Sequence, residues 1–127
     1  MKVVLPKAEF LPVSFKYPKD YLEFINQHVM EDLAPWRLLS DAEEEICFYI
    51  NNLREEYPDK QLIPFARFED SANGDIACFD GDDPSGDPKV YFHVCCYQGE
   101  LPPWDQRYSM NDFSEWLEEA REESFND

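Results

Sequence analysis

Between Leu62 and Cys96 the chain changes its hydrophobic period, and this change constrains the fold more than any other feature. Leu62 to Phe68, Asp75 to Asp80 and Lys89 to Cys96 are short runs rich in aromatic and β-branched residues, each bounded by turn formers. That is the pattern of β-strands. Ser71-Ala72-Asn73-Gly74 separates the first two, and Asn-Gly takes the positive φ that a tight hairpin connection needs. The polar loop Gly81-Asp82-Asp83-Pro84-Ser85-Gly86-Asp87-Pro88 leads to the third run. Neither connection can house a crossover helix, which takes about a dozen residues or more, so the strands read as an antiparallel meander.

Helical periodicity flanks this block on both sides. From Pro18 to Leu33, Tyr21, Phe24, Ile25, His28 and Val29 fall at i, i+3, i+4, i+7 and i+8, one apolar stripe of an amphipathic helix that Pro18 is suited to open. Ala34-Pro35-Trp36 reads as the turn that breaks it. A second helix starts at Ser40, which pairs with Glu43 as a capping box, and Asp41, Glu43, Glu44 and Glu45 add negative charge where the helix dipole favours it. Its stripe is Ala42, Ile46, Ile50, Leu53 and Tyr57, and Pro58 stops it. A last helix, capped by Asn111 or Ser109, carries Phe113, Trp116, Leu117 and Ala120 on one face and Glu115, Glu118, Glu119, Glu122 and Glu123 on the other. The expected fold class is α+β: one domain over residues 1–127, a mainly antiparallel (mixed) sheet with N-terminal helices and a C-terminal helix packed on it. Additional edge strands within the first 16 residues or the stretch from Gly99 to Tyr108 are not placed by the pattern.

Composition bears on what such a domain can do. With 43% hydrophobic and 16% aromatic residues the chain can offset the ordering entropy of its 127 residues and build a core. Against 11 Lys+Arg stand 28 Asp+Glu, a formal charge of -17, and a chain so acidic has no basic patch to offer nucleic acid or an anionic membrane surface. No run approaches the ~20 apolar residues of a membrane span, and the N-terminus lacks the charged-then-apolar pattern of a secretory signal. The expected location is cytoplasmic. Cys47, Cys78, Cys95 and Cys96 have no C-x-x-C spacing and sit in apolar runs, where free buried thiols are ordinary in a reducing compartment. The alternative is a metal site in which His93 and Cys95 share a strand face, and it would need Cys78 and a fourth ligand. The expectation is no metal and no cofactor.

Catalytic patterns find little support. The acidic loop from Asp80 to Asp87 resembles a calcium loop in its carboxylates, yet counting from Asp80 the sixth and twelfth positions hold Ser85 and Tyr91 where an EF-hand has glycine and glutamate. His28 lies on a helix stripe and His93 inside a strand, positions of structural histidines. There is no G-x-S-x-G elbow and no glycine-rich phosphate loop. With 28 acids in a small domain, close carboxylate pairs arise by chance. No enzyme activity is expected.

The acidic surface is what remains. Spread over roughly 7,000 Å², the surface expected for this mass, the excess is about one negative charge per 400 Å², enough to steer a basic protein and raise its on-rate by ~10 to 10³. Trp36 and Trp104 lie in proline-containing segments rather than on a helix stripe, and tryptophan is enriched among binding anchors. The alternative is that both indoles cover the ends of the core. The candidate partner-binding residues are therefore Asp82, Asp83, Asp87, Trp36, Trp104, Glu115 and Glu119.

The run Ile63-Pro64-Phe65-Ala66-Arg67, then Gly74-Asp75-Ile76-Ala77-Cys78-Phe79-Asp80, then Lys89-Val90-Tyr91-Phe92-His93 resembles the SUKH superfamily, the Smi/Knr-type cell-wall-synthesis regulators and their bacterial relatives. Phe113-Ser114-Glu115-Trp116-Leu117 matches the Phe-x-x-Trp/Phe-Leu pattern of that family's terminal helix, and the resemblance spans residues 17 to 120. Val94 stands where many members carry an acid after the strand histidine. The resemblance implies a mixed α+β sheet without known catalysis, often an immunity protein that binds and neutralises a toxin, frequently a nuclease. A nuclease presents a basic cleft to its substrate, so the implied partner is a basic toxin, occluded by the acidic surface. The second reading is a regulatory or scaffold domain that binds a signalling partner or a small ligand. Oligomeric state is left open.

Overall fold

The computed structural model describes residues 11–12, 15–27, 33, 36–39, 43–68, 75–93 and 102–125. Among them the element order is α1 (Lys19–Ile25), β1 (Trp36–Leu38), α2 (Glu43–Glu56), β2 (Leu62–Phe68), β3 (Ile76–Asp80), β4 (Val90–His93), a 3-10 turn (Trp104–Gln106), β5 (Ser109–Met110) and α3 (Phe113–Phe125). The strands form one sheet in the order β1-β2-β3-β4-β5, with every neighbouring pair antiparallel. The chain is thus an α+β domain, and the meander from β2 to β4 follows the short connections.

Several local features depart from the pattern, each for a physical reason. α1 ends at Ile25, well before Leu33, because the Asn26 side chain and backbone N–H both donate to the Leu22 carbonyl, at 2.7 and 3.2 Å, and close its last turn. His28 and Val29 lie outside the described residues, as do the Ser40 cap and the Asn73-Gly74 turn. Trp36 belongs to a strand rather than a turn: β1 pairs Trp36, Arg37 and Leu38 with Phe68, Arg67 and Ala66 of β2. α3 is capped by Asp112 rather than Asn111 or Ser109. The Asp112 carboxylate accepts the Glu115 N–H at 3.0 Å, and the Glu115 carboxylate accepts the Asn111 N–H at 2.9 Å, a capping box offset by one residue.

β2 lies between two neighbours and yet carries a proline, which removes a ladder donor. The register between β2 and β3 shifts between Pro64 and Ala66, a bulge that absorbs the loss. Both faces of the sheet are covered, and all five residues of β3 are buried. On one face Ile63, Phe65, Ala77, Phe79 and Val90 pack with Tyr21, Phe24 and Ile25 of α1 and with Phe113, Trp116 and Ala120 of α3. Phe65 and Phe79 stack at its centre, ring centroids 4.1 Å apart. The Ser114 hydroxyl donates to the Asp20 carboxylate and ties the two helices together. On the other face α2 covers Leu62, Ile76, Cys78 and Tyr91 with Leu53 and Tyr57. Arg37 of β1 donates to Glu45 of α2 at 2.6 Å and fixes the start of that helix against the sheet edge.

Candidate functional site

The acidic loop between β3 and β4 is held by its own side chains. Asp80, 8% exposed, pairs with Lys60 at 3.2 Å and accepts the Asp82 N–H at 3.0 Å. Asp82 accepts the Gln61 backbone N–H at 3.3 Å. Asp83 accepts the Ser85 N–H at 2.9 Å, and Ser85 Oγ accepts the Asp87 N–H at 3.1 Å. The bonds to the Asp82, Ser85 and Asp87 N–H groups are local turns closed by a polar side chain two residues earlier, and those from Lys60 and Gln61 tie the loop to the chain before β2. Gly86 turns the loop at φ 91, the left-handed region open to glycine. Among the described residues no three His, Cys, Asp or Glu side chains gather as a metal site.

Trp104 closes the α2 side of the sheet near this loop. Its ring packs edge-on against Tyr57 and Tyr91, with centroids 5.5 and 5.2 Å away, and its Nε1 donates to Asp59 at 3.1 Å. The Arg107 guanidinium lies 3.6 Å from the indole centroid while its Nε donates to the Pro102 carbonyl at 2.7 Å. The Lys60 ammonium sits 5.6 Å from the same indole and 5.5 Å from the Tyr91 ring. Lys60 therefore joins the two features, since one ammonium meets both the Asp80 carboxylate and the indole face. Such cation–π contacts contribute about 0.5 to 2 kcal/mol each, more where water is excluded.

Tyr57 and His93 complete this end of the sheet, the tyrosine hydroxyl 2.9 Å from His93 Nδ1. Burial holds the His93 pKa below its ordinary value, against the opposing pull of Glu56 and Asp75, and burial likewise pushes the Tyr57 hydroxyl up. The neutral imidazole can accept the tyrosine proton at Nδ1 and keep its own on Nε2. Cys78 is fully buried on the same face, and burial pushes its thiol up so far that it stays protonated and unreactive. Cys95 lies outside the described residues.

The structure separates the seven residues singled out by the sequence. Asp82, Asp83 and Asp87 share the β3–β4 loop, and Lys60 connects its base to half-buried Trp104. Glu115 and Glu119 are exposed on α3, which packs on the opposite face of the sheet, and Glu115 is engaged in the helix cap. Trp36 is only 9% exposed and packs against Phe68, Phe92 and Trp116 at 5.0, 6.2 and 5.5 Å. It is a wall of the core, and this takes it off the accessible surface. Two exposed aromatics escaped the sequence reading: Phe48, 62% exposed on α2, and Tyr108, 70% exposed before β5. Phe48 was legible in principle, because it falls two residues after Ile46 and so off the buried stripe. Lys60 and Arg107 carried no such signal, since they meet at one indole only through the tertiary fold.

No curated protein matches this chain, and no solved structure matches it. The family model described as the SMI1 / KNR4 family (SUKH-1) matches residues 9–119, which takes in every described strand and most of α3. The chain belongs to the SMI1 / KNR4 family (SUKH-1).

Proposed function

We propose that this domain is an immunity protein, a non-catalytic binder that neutralises a basic, nuclease-like toxin by covering its cleft. Membership in a family of protein-interaction domains supports a protein partner, and the observation that carries the finer reading is the formal charge of -17. A nuclease must offer positive potential to a polyanion, so an acidic protein competes for the same surface. The β3–β4 loop suits the task because its aspartates stand on a braced turn and lose little freedom on binding. Trp104 lies beside it, braced by Arg107 and Asp59.

The experiment is a pull-down with the tagged chain at low salt and at ~0.5 M salt, where the Debye length falls to a few ångströms. A basic partner recovered at low salt and weakened at high salt is the expected result. A triple variant, Asp82→Asn with Asp83→Asn and Asp87→Asn, should slow association and flatten its salt dependence. Recovery of no basic partner, or of one indifferent to salt, refutes acidic occlusion and favours the regulatory reading.

A further inference from the structure

α2 has two faces of opposite character. Ile46, Ile50 and Leu53 are buried, while Phe48 is 62% exposed. At about 100° per residue, Glu44, Asn51, Asn52 and Glu55 lie within about 60° of Phe48, and all four are exposed. The Phe48 ring is not loose: it meets Tyr49 edge-on at 5.6 Å, and Tyr49 packs on the buried clusters beneath α2. Most of the phenyl surface therefore stays in water, with its burial free energy unrealised in the free chain. α3 offers no equivalent, since its described exposed positions, Ser114, Glu115, Glu118, Glu119, Arg121 and Glu122, include no aromatic.

We propose that the outer face of α2 is a docking surface for a basic protein, with Phe48 seated in an apolar socket whose lysine or arginine rim meets Glu44 and Glu55. This rests on the reading of the chain as a binder of basic proteins, and it adds a second contact face to the β3–β4 loop. Charge complementarity selects the occupant. A second copy would set Glu44 and Glu55 against their own kind, and an anionic surface would be repelled. An aromatic centre ringed by charge is the usual build of a binding hot spot, in which the ring supplies most of the energy and the rim supplies rate and selectivity.

The test titrates the isotopically labelled chain at low salt with two short peptides of equal length and charge, one of Lys and Leu and one of Lys and Ser, and maps amide shifts by NMR. The Lys/Leu peptide should shift the amides between Glu44 and Glu55 and bind Phe48→Ser at least about tenfold more weakly than the parent chain. The Lys/Ser peptide should bind weakly and ignore that substitution. Phe48 is exposed, so the variant should fold, and its far-UV spectrum checks this. Shifts centred on α3 or on the β3–β4 loop, or equal binding by Phe48→Ser, overturn the proposal. A basic protein recovered equally by the parent chain and Phe48→Ser also overturns this face while leaving the proposed function standing. A Lys/Leu peptide seated through Phe48 with no basic protein partner recovered supports the face and removes the immunity reading.

Discussion

The Tyr57 hydroxyl lies 2.9 Å from Nδ1 of His93 and joins the end of α2 to β4. The two residues are 36 positions apart in the chain, and the bond closes the layer formed by α2 over the sheet. Its energetic weight depends on the charge state of the imidazole, because burial favours the neutral ring.

A pH dependence follows. The folded pKa of His93 is below that of the unfolded chain, so below about pH 6.5 the unfolded state binds more protons. The stability from the neutral ring is fully present above that pH and is lost as pH falls toward the lowered folded value. Denaturant midpoints measured between pH 7.5 and 5.5 should show this loss for the parent chain relative to His93→Gln, which removes the titration. Identical pH profiles for the two chains would show that His93 titrates as it does unfolded. Tyr57→Phe should cost about 1 kcal/mol at neutral pH.

Arg107 should matter through packing as well as charge. Its guanidinium lies 3.6 Å from the Trp104 centroid and 5.5 Å from that of Tyr57, and its stem is fixed by the Pro102 carbonyl. Arg107→Ala should destabilise the domain by about 1 to 2 kcal/mol and shift Trp104 fluorescence. Arg107→Lys should recover only part of this, because an ammonium cannot stack as a planar guanidinium does.

Two glycines in one loop should respond differently to alanine. A Cβ at Gly81 would fall 2.4 Å from the Gln61 carbonyl oxygen, the same oxygen that accepts the Gly81 N–H at 2.7 Å. Gly81→Ala must therefore move backbone and should cost about 1 to 3 kcal/mol. At Gly86 a Cβ meets open space, but φ is +91, so Gly86→Ala should cost about 1 to 2 kcal/mol from the backbone alone. Gly86→Asn should recover much of that loss, since asparagine tolerates left-handed backbone, while Gly81→Asn should not. Thermal melts of the four variants read the contrast.

Asp112→Ala should cost about 0.5 to 2 kcal/mol through loss of the α3 cap. Asn111→Ala should be nearly neutral, because it is the Asn111 backbone N–H, not the side chain, that meets Glu115. A reversed order of these two effects in chemical denaturation would move the cap back to Asn111.

The sequence by itself determined the three central strands, α2, α3 and the family. Leu62 to Phe68 reads as a strand over the same residues that form β2, and the stripe of Ile46, Ile50, Leu53 and Tyr57 is the buried side of α2 and its end. Periodicity is local, and burial of a stripe enforces it. Tertiary structure decided which side chains meet. Three residues at Trp36 form an edge strand because Arg67 and Phe68 offer a free ladder, and a proline-flanked tryptophan carries no trace of that partner. In the same way Lys60 and Arg107 converge on one indole, because the sheet places β4 and the Trp104 turn beside the end of α2. Contacts between residues far apart in sequence depend on register and layer order, which no local pattern encodes.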